Sequence, residues 1–400
     1  MMNKIPKGWE VKKLKDIGKI SSGGTPSTSN DNNFGGNIAW ITPADLTGYK
    51  DKFISKGKRN LSEAGLKNSS AKILPKGTIL FSSRAPIGYV AIAQNEISTN
   101  QGFKNLTPNE SVISEYVYYY LLGSKNLAEQ SASGTTFKEI SATAFSNLPI
   151  PLPPLSEQKA IADKLDDSFA KIENAITNLI NAKENLKLYK QSVLKSAFNG
   201  DLLPNTSPTH WEVKKLGEIC EIMDNQRKPI NSSEREKRLI SAKQKFPYYG
   251  ATGQVGFIDD YIFDCEAILL GEDGAPFLDF FKDKAYMVSG KFWVNNHAHI
   301  LKAKNKISLN AFICYFLNTL DYSPYVSGTT RLKLNQSSMK NIEIPLPPLS
   351  EQNLIVAEID RRFAIVDKTL NLIDKSIQNA KNLKQSILKK AFSGELRSEI

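Results

Sequence analysis

The stretch Pro151-Leu-Pro-Pro-Leu-Ser-Glu-Gln158 decides the organisation of this chain, because the same eight residues return at 345–352. Further pairs of matching stretches frame the two halves. They are WEVKKL at 9–14 and 211–216, SGTT at 133–136 and 327–330, and QSVLKSAFNGDL at 191–202 with QSILKKAFSGEL at 385–396. A repeat of about 200 residues is far longer than the repeats of a solenoid, so the pattern indicates that a whole structural unit is duplicated.

Each copy of this stretch is predicted to open a long helix. The Pro-Leu-Pro-Pro segment is extended, because a residue before proline avoids the α region. Ser156 and Ser350 then suit the N-cap position. No proline or glycine follows until Gly200 and Gly394, which suit the position just after a helix. At 1.5 Å per residue each helix is roughly 60 Å long. The predicted helices are 157–198 and 351–392.

Apolar residues recur along both helices at alternating spacings of four and three, as in the a and d positions of a coiled coil. Such a stripe usually reflects core packing, but its length and duplication favour a spacer or docking rod. Pairing of the two helices with each other is the simplest way to bury it. Lys183, Lys190 and Lys384 interrupt it. The predicted interface is Leu165, Phe169, Ile172, Ile176, Leu179, Ile359, Phe363, Val366, Leu370 and Ile373.

The inserts between the repeated stretches, 21–130 and 223–325, share little similarity and indicate mixed α/β domains. Short apolar runs broken by turn residues predict strands. The predicted strands are 38–41, 77–81, 88–93, 248–251, 267–270 and 291–294, and the predicted helices are 112–122 and 309–317.

The sequence therefore predicts an α/β (α+β) fold class. Two globular mixed α/β domains are separated by two long antiparallel coiled-coil helices, in a tandem repeat with a pseudo-two-fold axis. The predicted segments are 1–150 for the first globular domain, 151–203 for the first long helix, 204–344 for the second globular domain and 345–400 for the second long helix.

Composition points to a soluble protein of the cytoplasm. Of the 400 residues, 40% are apolar and 23% are charged, which is typical of globular chains. Cys220, Cys265 and Cys314 are too widely spaced for a disulfide framework or a thiolate zinc site, and they suit a reducing compartment. No apolar run reaches the ~18–20 residues of a membrane span, and the start of the chain lacks the apolar core of a signal peptide.

The charge balance suggests a polyanionic partner. The formal net charge is +11, and residues 1–150 contain 18 Lys and Arg against 11 Asp and Glu. A basic surface of this kind attracts nucleic acid. Ordinary surface lysine remains an equally simple interpretation of the charge alone.

Motifs of several enzyme classes are absent from the sequence. It contains no GxxxxGK[ST] phosphate loop, no GxSxG elbow and no [DN]PP[YF] tetrapeptide. His297 and His299 alternate on an expected strand and would face one side, but no third metal ligand is evident. The acidic pairs Asp259-Asp260 and Glu272-Asp273 are best interpreted as solvated turn carboxylates. We therefore expect no catalytic residue and no metal site.

Over its whole length the chain resembles the specificity subunit of Type I restriction–modification systems. The resemblance rests on the two PLPPLSEQ stretches, the two helix ends, and GWEVKKL and HWEVKKL at the start of each half. In the first insert, SGGTPSTSN, FSSRAPIGYVA and STNQGF are similar to target-recognition domains.

The resemblance implies a non-catalytic subunit that binds double-stranded DNA. Each target-recognition domain reads one half of a bipartite site, and because the inserts differ the site is expected to be asymmetric. Two methylation subunits supply S-adenosylmethionine and adenine-N6 chemistry. Two restriction subunits supply ATP- and magnesium-dependent translocation and cleavage. No cofactor is expected on this chain itself.

Candidate DNA contacts follow from residue type. Base edges are read by Arg, Lys, Asn and Gln, whereas Ser, Thr and backbone amides bind phosphates. The SGTT turn occurs in both halves and cannot explain different half-sites, so it is interpreted as structural or phosphate-binding. An ordinary surface role remains open for each candidate. The candidates are Arg84, Asn100, Gln101, Thr25, Ser27 and Thr28 in the first insert, and Tyr249, Thr252, Gln254, Arg331 and Lys333 in the second.

Two other functions remain open at this point. The chain could be a coiled-coil scaffold whose inserts bind proteins or glycans, or a stand-alone nuclease with an unrecognised acidic site. Salt-dependent DNA binding distinguishes the first alternative, and metal-dependent cleavage by the single chain distinguishes the second.

Overall fold

A computed structural model describes residues 5–134, 138–204 and 208–396 of the chain. Its internal contacts divide the chain into two units. The first unit comprises Met1–Asn178 and Ser376–Ile400, and the second unit comprises Leu179–Lys375. Each long helix contributes to both units. The four-part division made from the sequence gives each helix a segment of its own, and it stays a prediction.

Among the residues described, the first unit contains ten strands, four short α-helices, the start of one long helix and the end of the other. The strands are β1 (Glu10–Lys13), β2 (Gly18–Ser22), β3 (Phe34–Ile41), β4 (Phe53–Ile54), β5 (Arg59–Leu61), β6 (Ile79–Ser82), β7 (Val90–Ala93), β8 (Ser98–Thr99), β9 (Phe103–Pro108) and β10 (Pro149–Leu152). The helices are α1 (Glu63–Lys67), α2 (Ser114–Gly123), α3 (Lys125–Gln130), α4 (Ala142–Ser146) and α5 (Leu155–Phe198).

The second unit continues from α5. Its strands are β11 (Glu212–Lys215), β12 (Cys220–Ile222), β13 (Phe246–Gly250), β14 (Gly253–Ile258), β15 (Phe263–Asp264), β16 (Ala267–Gly271), β17 (Ala285–Val288), β18 (Lys291–Val294), β19 (Ala298–Ala303), β20 (Val326–Ser327), β21 (Lys333–Leu334) and β22 (Glu343–Leu346). Its helices are α6 (Leu216–Ile219), α7 (Ser232–Ile240), α8 (Asn310–Leu317), α9 (Gln336–Lys340) and α10 (Leu349–Ser393). Each predicted strand and insert helix overlaps one of these elements, so those predictions are confirmed.

Both units are built on the same antiparallel sheet. Its strand order is β2-β9-β6-β7 in the first unit, where β4 extends it, and β12-β19-β16-β17 in the second. The central strand β6 is buried along its whole length, because both of its faces are covered. Ile79 and Phe81 pack with α2 and the start of α5, whereas Leu80 faces a second cluster that includes Ile41 of β3. The mixed α/β fold class is thus confirmed.

The repeated WEVKKL stretch closes each unit. In the first unit β1 pairs antiparallel with β10, with Val11 opposite Pro151, and in the second β11 pairs with β22, with Val213 opposite Pro345. The ribbon therefore joins the start of each half to the residues that lead into its long helix.

The glutamine that ends each PLPPLSEQ stretch is buried and joins the long helix to its unit. The side-chain Oε1 of Gln158 accepts a hydrogen bond from the Ile113 amide at 2.9 Å, and its Nε2 donates to the Pro153 carbonyl. Gln352 does the same with the Leu309 amide and the Pro347 carbonyl. Both glutamines satisfy backbone groups that would otherwise be buried without partners.

The long helices begin two residues earlier than predicted, and the prediction of Ser156 and Ser350 as N-caps is wrong. Helix α5 begins at Leu155, and the carbonyl of Pro154 accepts the first intrahelical bond, from the amide of Gln158, at 2.9 Å. In α10 the Pro348 carbonyl has this role. The proline is itself the cap, because its carbonyl remains free to accept even though its nitrogen cannot donate.

The C-terminus of α5 is closed as its glycine predicts. Gly200 has a φ of +81°, which residues with a side chain rarely adopt. The Asp201 amide donates to the Ser196 carbonyl at 2.8 Å, which is the six-to-one bond of a Schellman motif.

Within each unit the two long helices pass each other antiparallel, and the interrupting lysines are part of their pairing. In the second unit Lys190 pairs with Asp367 and lies 4.7 Å from the ring centre of Phe363. In the first unit Lys384 pairs with Glu173 and lies over Phe169 in the same way.

All ten predicted interface residues are buried or half-buried. Ile172, Val366 and Ile373 are buried along the seam. Leu165 and Ile359 reach the cores of the two units, and Phe169 and Phe363 pack against those cores. Ile176, Leu179 and Leu370 are half-buried.

Candidate nucleic-acid interface

The loop after β6 contains Arg84, as predicted from the sequence. Arg84 forms a main-chain bridge with Glu139, and its Nη1 lies 3.6 Å from the Glu139 carboxylate. The same carboxylate is 3.2 Å from Nζ of Lys104. The Arg84 side chain is 40% exposed, so it can still reach a ligand from this position.

Other candidates of the first unit gather beside the end of β8. Thr25 donates a hydrogen bond to the side chain of Gln101. Asn100 uses its side-chain oxygen to accept from the Gly102 amide at 2.9 Å, which stabilises the turn before β9. Ser27 and Thr28 are exposed on the preceding loop. The structure therefore brings Thr25 and Gln101 together and gives Asn100 a structural bond.

The hairpin of β20 and β21 carries Arg331 and Lys333 in the second unit. A main-chain bridge joins Lys333 to Asp273, which lies in the loop after β16. Arg331 Nη2 lies 2.8 Å from the Asp273 carboxylate, and Lys333 Nζ lies 3.2 Å from that of Glu272. Arg331 is 60% exposed.

The turn between β13 and β14 holds the remaining candidates. Tyr249 is half-buried, with its ring 6.0 Å from those of Tyr286 and Phe292. Thr252 and Gln254 are exposed, and Gln254 Nε2 donates to the Gly256 carbonyl at 3.0 Å. The Tyr249 ring is thus part of the packing of its sheet, while the side chains of Thr252 and Gln254 are exposed to solvent.

The two units place opposite charges at equivalent positions. Arg84 and Asp273 are each the second residue after the corresponding strand, β6 or β16. Their partners Glu139 and Lys333 are separated by the 194-residue repeat. Sequence reasoning did not select Glu139 or Asp273, although the repeat offset relates Glu139 to the candidate Lys333.

The SGTT turn is built around a glycine in both units. Gly134 and Gly328 have φ values of +106° and +100°, and a Cβ at Gly328 would lie 2.6 Å from the carbonyl oxygen of Arg331. These constraints support a structural role for the turn. Thr135 and Thr136 lie outside the described residues.

The prediction that His297 and His299 share one face of a strand is wrong. His297 precedes β19, is partly exposed, and has its Nδ1 2.6 Å from the carboxylate of Asp273. His299 lies on β19 and is buried. The turn before β19 therefore separates the environments of the two rings.

One cluster in the described part of the chain has the residue types of a metal site. Asp224, Glu272 and His299 bring ligand atoms within 4.8 Å of one another. These atoms are already engaged, because Arg227 lies 2.6 Å from Glu272 and Gln336 donates to Asp224. Since Arg227 and Lys333 already balance the carboxylates, we assign no metal to this cluster.

The interpretation of Glu272 and Asp273 as solvated turn carboxylates is also wrong. Both side chains are largely buried and take part in the ion pairs described above. Asp259 is similarly paired, with Arg238 at 2.6 Å, whereas the Asp260 carboxylate accepts from the amide of Tyr261.

Among the described residues, no helix has the length and apolar character needed to span a membrane.

Comparison with known proteins identifies a family model and several relatives that match this chain. The model of a family described as the Type I restriction modification DNA specificity domain matches the chain twice, over 6–182 and 208–380. The chain is 34% identical to the Type I restriction enzyme MjaIX specificity subunit of Methanocaldococcus jannaschii, with 100% of this chain and 96% of the relative covered. It is 24% identical to the EcoKI specificity subunit of Escherichia coli, with 99% and 91% covered.

Solved structures share the fold. A chain from a structure concerning complex assembly and conformational transition of the type I R-M system aligns with a TM-score of 0.74 at 21% identity, covering 97% of this chain and 98% of that one. The HsdS subunit from Thermoanaerobacter tengcongensis aligns with a TM-score of 0.62 at 19% identity, covering 98% of both chains. With two matched specificity domains in a duplicated frame, the chain belongs to the family of Type I restriction–modification specificity subunits.

Proposed function

We propose that this chain recognises a bipartite, asymmetric site in double-stranded DNA, with one half read by each unit. The observation that carries the proposal is that the two units share one fold but place opposite charges at equivalent positions. The same kind of main-chain bridge joins Arg84 to Glu139 in one unit and Asp273 to Lys333 in the other. A duplicated fold with different side chains at one place is suited to reading two different sequences.

We propose further that the chain is not catalytic and acts through partners in the cytoplasm. Two methylation subunits would bring S-adenosylmethionine and adenine-N6 chemistry, and two restriction subunits would bring ATP- and magnesium-dependent cleavage. The name of the MjaIX relative, a subunit of a restriction enzyme, supports partners of this kind.

The length of α5 and α10 is proposed to set the unread spacer between the half-sites. The two helices contain 44 and 45 residues. At 1.5 Å per residue each is roughly 65 Å long. A duplex presents equivalent major-groove faces every ~34 Å, so half-sites on nearby turns are geometrically accessible.

The salt dependence of binding tests DNA recognition against the scaffold alternative. The full chain, alone or with its methylation partner, is titrated with a duplex library between about 50 and about 200 mM salt. We expect log affinity to fall linearly with log salt, because bound lysine and arginine release counterions. Undetectable binding throughout, or binding that ignores salt, would instead support a scaffold that recognises protein or glycan.

A further inference from the structure

Lys104 and His299 occupy the same position in the sheets of the two units. Each is the second residue of the strand, β9 or β19, that lies between two neighbours in its sheet. Lys104 is opposite Phe81, and His299 is opposite Leu270 at the corresponding place. The side chain of Lys104 is only 8% exposed and that of His299 only 1%. A buried basic residue inside a sheet requires a compensating partner.

Both residues hold the same segment of chain in place. Lys104 Nζ lies 3.2 Å from the carboxylate of Glu139. His299 Nε2 lies 2.8 Å from the main-chain oxygen of Leu334, the residue after Lys333. The repeat offset equates Glu139 with Lys333, so each buried basic group fastens the segment that is bridged to the loop after β6 or after β16.

The two partners of the His299 ring suit a ring that carries a proton on each nitrogen. Nδ1 lies 2.6 Å from the Asp224 carboxylate, and Nε2 faces the Leu334 oxygen. A carbonyl oxygen can only accept, and an ionised carboxylate can only accept. Neutral imidazole has a single N–H, so only the imidazolium form donates to both.

Asp224 is held in its ionised form. Two donors other than His299 face this carboxylate, the Ile300 amide at 2.9 Å and Gln336 Nε2 at 3.0 Å. Burial raises the pKa of this carboxyl, but these bonds, with the hydrogen bond and the charge of His299, leave the pKa below its usual value. Further charges face the ring. They are Glu272, whose carboxylate is 3.8 Å from Nδ1, and Arg227 and Lys333, which pair with Glu272.

We propose that protonated His299 is a positioning residue that holds the β20–β21 hairpin for DNA recognition, so that one half-site alone is read in a pH-dependent way. Histidine is the side chain that ordinarily changes charge near neutrality, and the first unit uses a lysine at the same place. Loss of the ring proton removes one of the two bonds and loosens the hairpin that carries Arg331. Main-chain bonds such as that from the Leu334 amide to the Glu272 carbonyl still join the hairpin to the loop after β16. The inference rests on the proposed function.

The test uses the full chain with its methylation partner and a duplex of the motif mapped from the genome. Dissociation constants are compared with those of duplexes in which one half-site or the other is scrambled, from pH 6 to 8.5 at fixed ionic strength. We expect discrimination at one half-site to fall at least about tenfold with rising pH, as loss of a bond to a charged group implies. Discrimination at the other half-site stays constant.

Substitutions separate His299 from other titrating groups. His299→Gln should show low, pH-independent discrimination at that half-site, and His299→Lys should restore it without pH dependence. Lys104→Gln should relax the other half-site. His210→Asn, at an exposed ring, should keep the wild-type pH dependence. A wild-type profile that is flat, or that persists in His299→Gln, would overturn the proposal.

Two readouts keep the test decisive. Discrimination at the unaffected half-site reports whether His299→Gln is folded. If it is lost, histidine ring NMR of the wild-type chain at pH 7 replaces the variant. Protons on both nitrogens of His299 are expected, and a single ring proton would refute the inference. If scrambling neither half-site changes binding, the proposed function itself fails.

Discussion

At the scale of single residues, the last position of the PLPPLSEQ stretch explains why this stretch is kept in both halves of the chain. Gln158 and Gln352 are among the most buried polar residues described. Each closes the gap between a long helix and the loop that leads into the helix packed on the sheet. A glutamine is suited to this place because its side chain both accepts from an amide and donates to carbonyls.

Replacing Gln352 by leucine should destabilise the second unit. The Leu309 amide and the Ile307 and Pro347 carbonyls lose buried partners, which costs about 1–3 kcal/mol. Urea denaturation measures the change. Gln385→Leu, at an exposed position of α10, is the control and should stay within about 0.5 kcal/mol of the wild type. Equal effects of both substitutions would show that Gln352 is not a structural link.

Arg84→Ala should reduce sequence selectivity more than non-specific DNA affinity. A bidentate arginine contact to guanine contributes about 1–3 kcal/mol of discrimination, so the ratio of specific to non-specific affinity should fall by roughly tenfold or more. Lys171→Ala, at an exposed lysine of α5, is the control for loss of one positive charge. Equal losses of specific and non-specific binding would make Arg84 a phosphate contact.

The cysteines should differ in reactivity. Burial raises the pKa of Cys220 and of Cys314 to about 12, whereas Cys265 is partly exposed. At pH 8 a disulfide reagent followed by mass spectrometry should label Cys265 first and the other two only after unfolding. Because unfolded thiols ionise from about pH 8.5, these cysteines make folding less favourable as pH rises above that value. Early labelling of Cys220 in folded protein would contradict this account.

Residue-level sequence reasoning succeeded where the signal was local. The predicted strands 77–81 and 88–93 leave Arg84 between them, and in the structure it lies between β6 and β7. Sequence reasoning missed the partner Glu139, because the sheet brings together residues that are far apart in the chain. It also misjudged Glu272 and Asp273, since an acidic pair in a Gly-rich stretch does not reveal the arginines that fold onto it.

At the scale of elements, the long helices were predictable because they depend on a local pattern. Regular apolar spacing and the absence of proline and glycine located them to within two residues. The N-caps were not predictable in the same way. The sequence does not show whether the helix begins after the serine or after the proline two residues before it. Helix α7 was also missed, since its nine residues contain five charged side chains and little apolar periodicity.

The lysines that interrupt the apolar stripe make contacts between the two long helices, which the heptad pattern alone did not reveal. Lys190 and Lys384 each reach a carboxylate and a phenylalanine ring of the other helix. Such partly exposed pairs add little stability, about 0–1 kcal/mol each. Their geometry favours the observed register of the helices, since a shift by one turn would place each ammonium away from both partners.

Deleting one heptad from each helix should shorten the unread spacer. Residues 174–180 and 377–383 are suitable, because the Lys384–Glu173 and Lys183–Asp374 pairs flank them. Seven residues span about 10 Å of helix, or roughly three base pairs. The methylated motif, mapped after expression with the partner subunits, reports the spacer. Lys183→Ala, which keeps the helix length, is the control, and an unchanged spacer in the deletion variant would refute the role of helix length.

At the scale of the whole molecule, one fold is used twice with different surfaces. The frame is recognisable from sequence because its ribbons, helix starts and helix ends are repeated nearly unchanged. The surfaces are not recognisable from sequence. The contacts that distinguish the units join loops to residues far away in the chain, and only the folded sheet brings them together. Arg84 with Glu139 and Asp273 with Lys333 are such pairs.

We propose that these two surfaces together direct methylation to one bipartite site. The most direct measurement is a map of N6-methyladenine across the source genome, with and without this gene. We predict that deletion removes one motif, made of two different half-sites around a spacer of fixed length, and that the gene restores it. A methylation pattern that is unchanged by deletion, in a cell whose methylation subunit is expressed, would contradict the account.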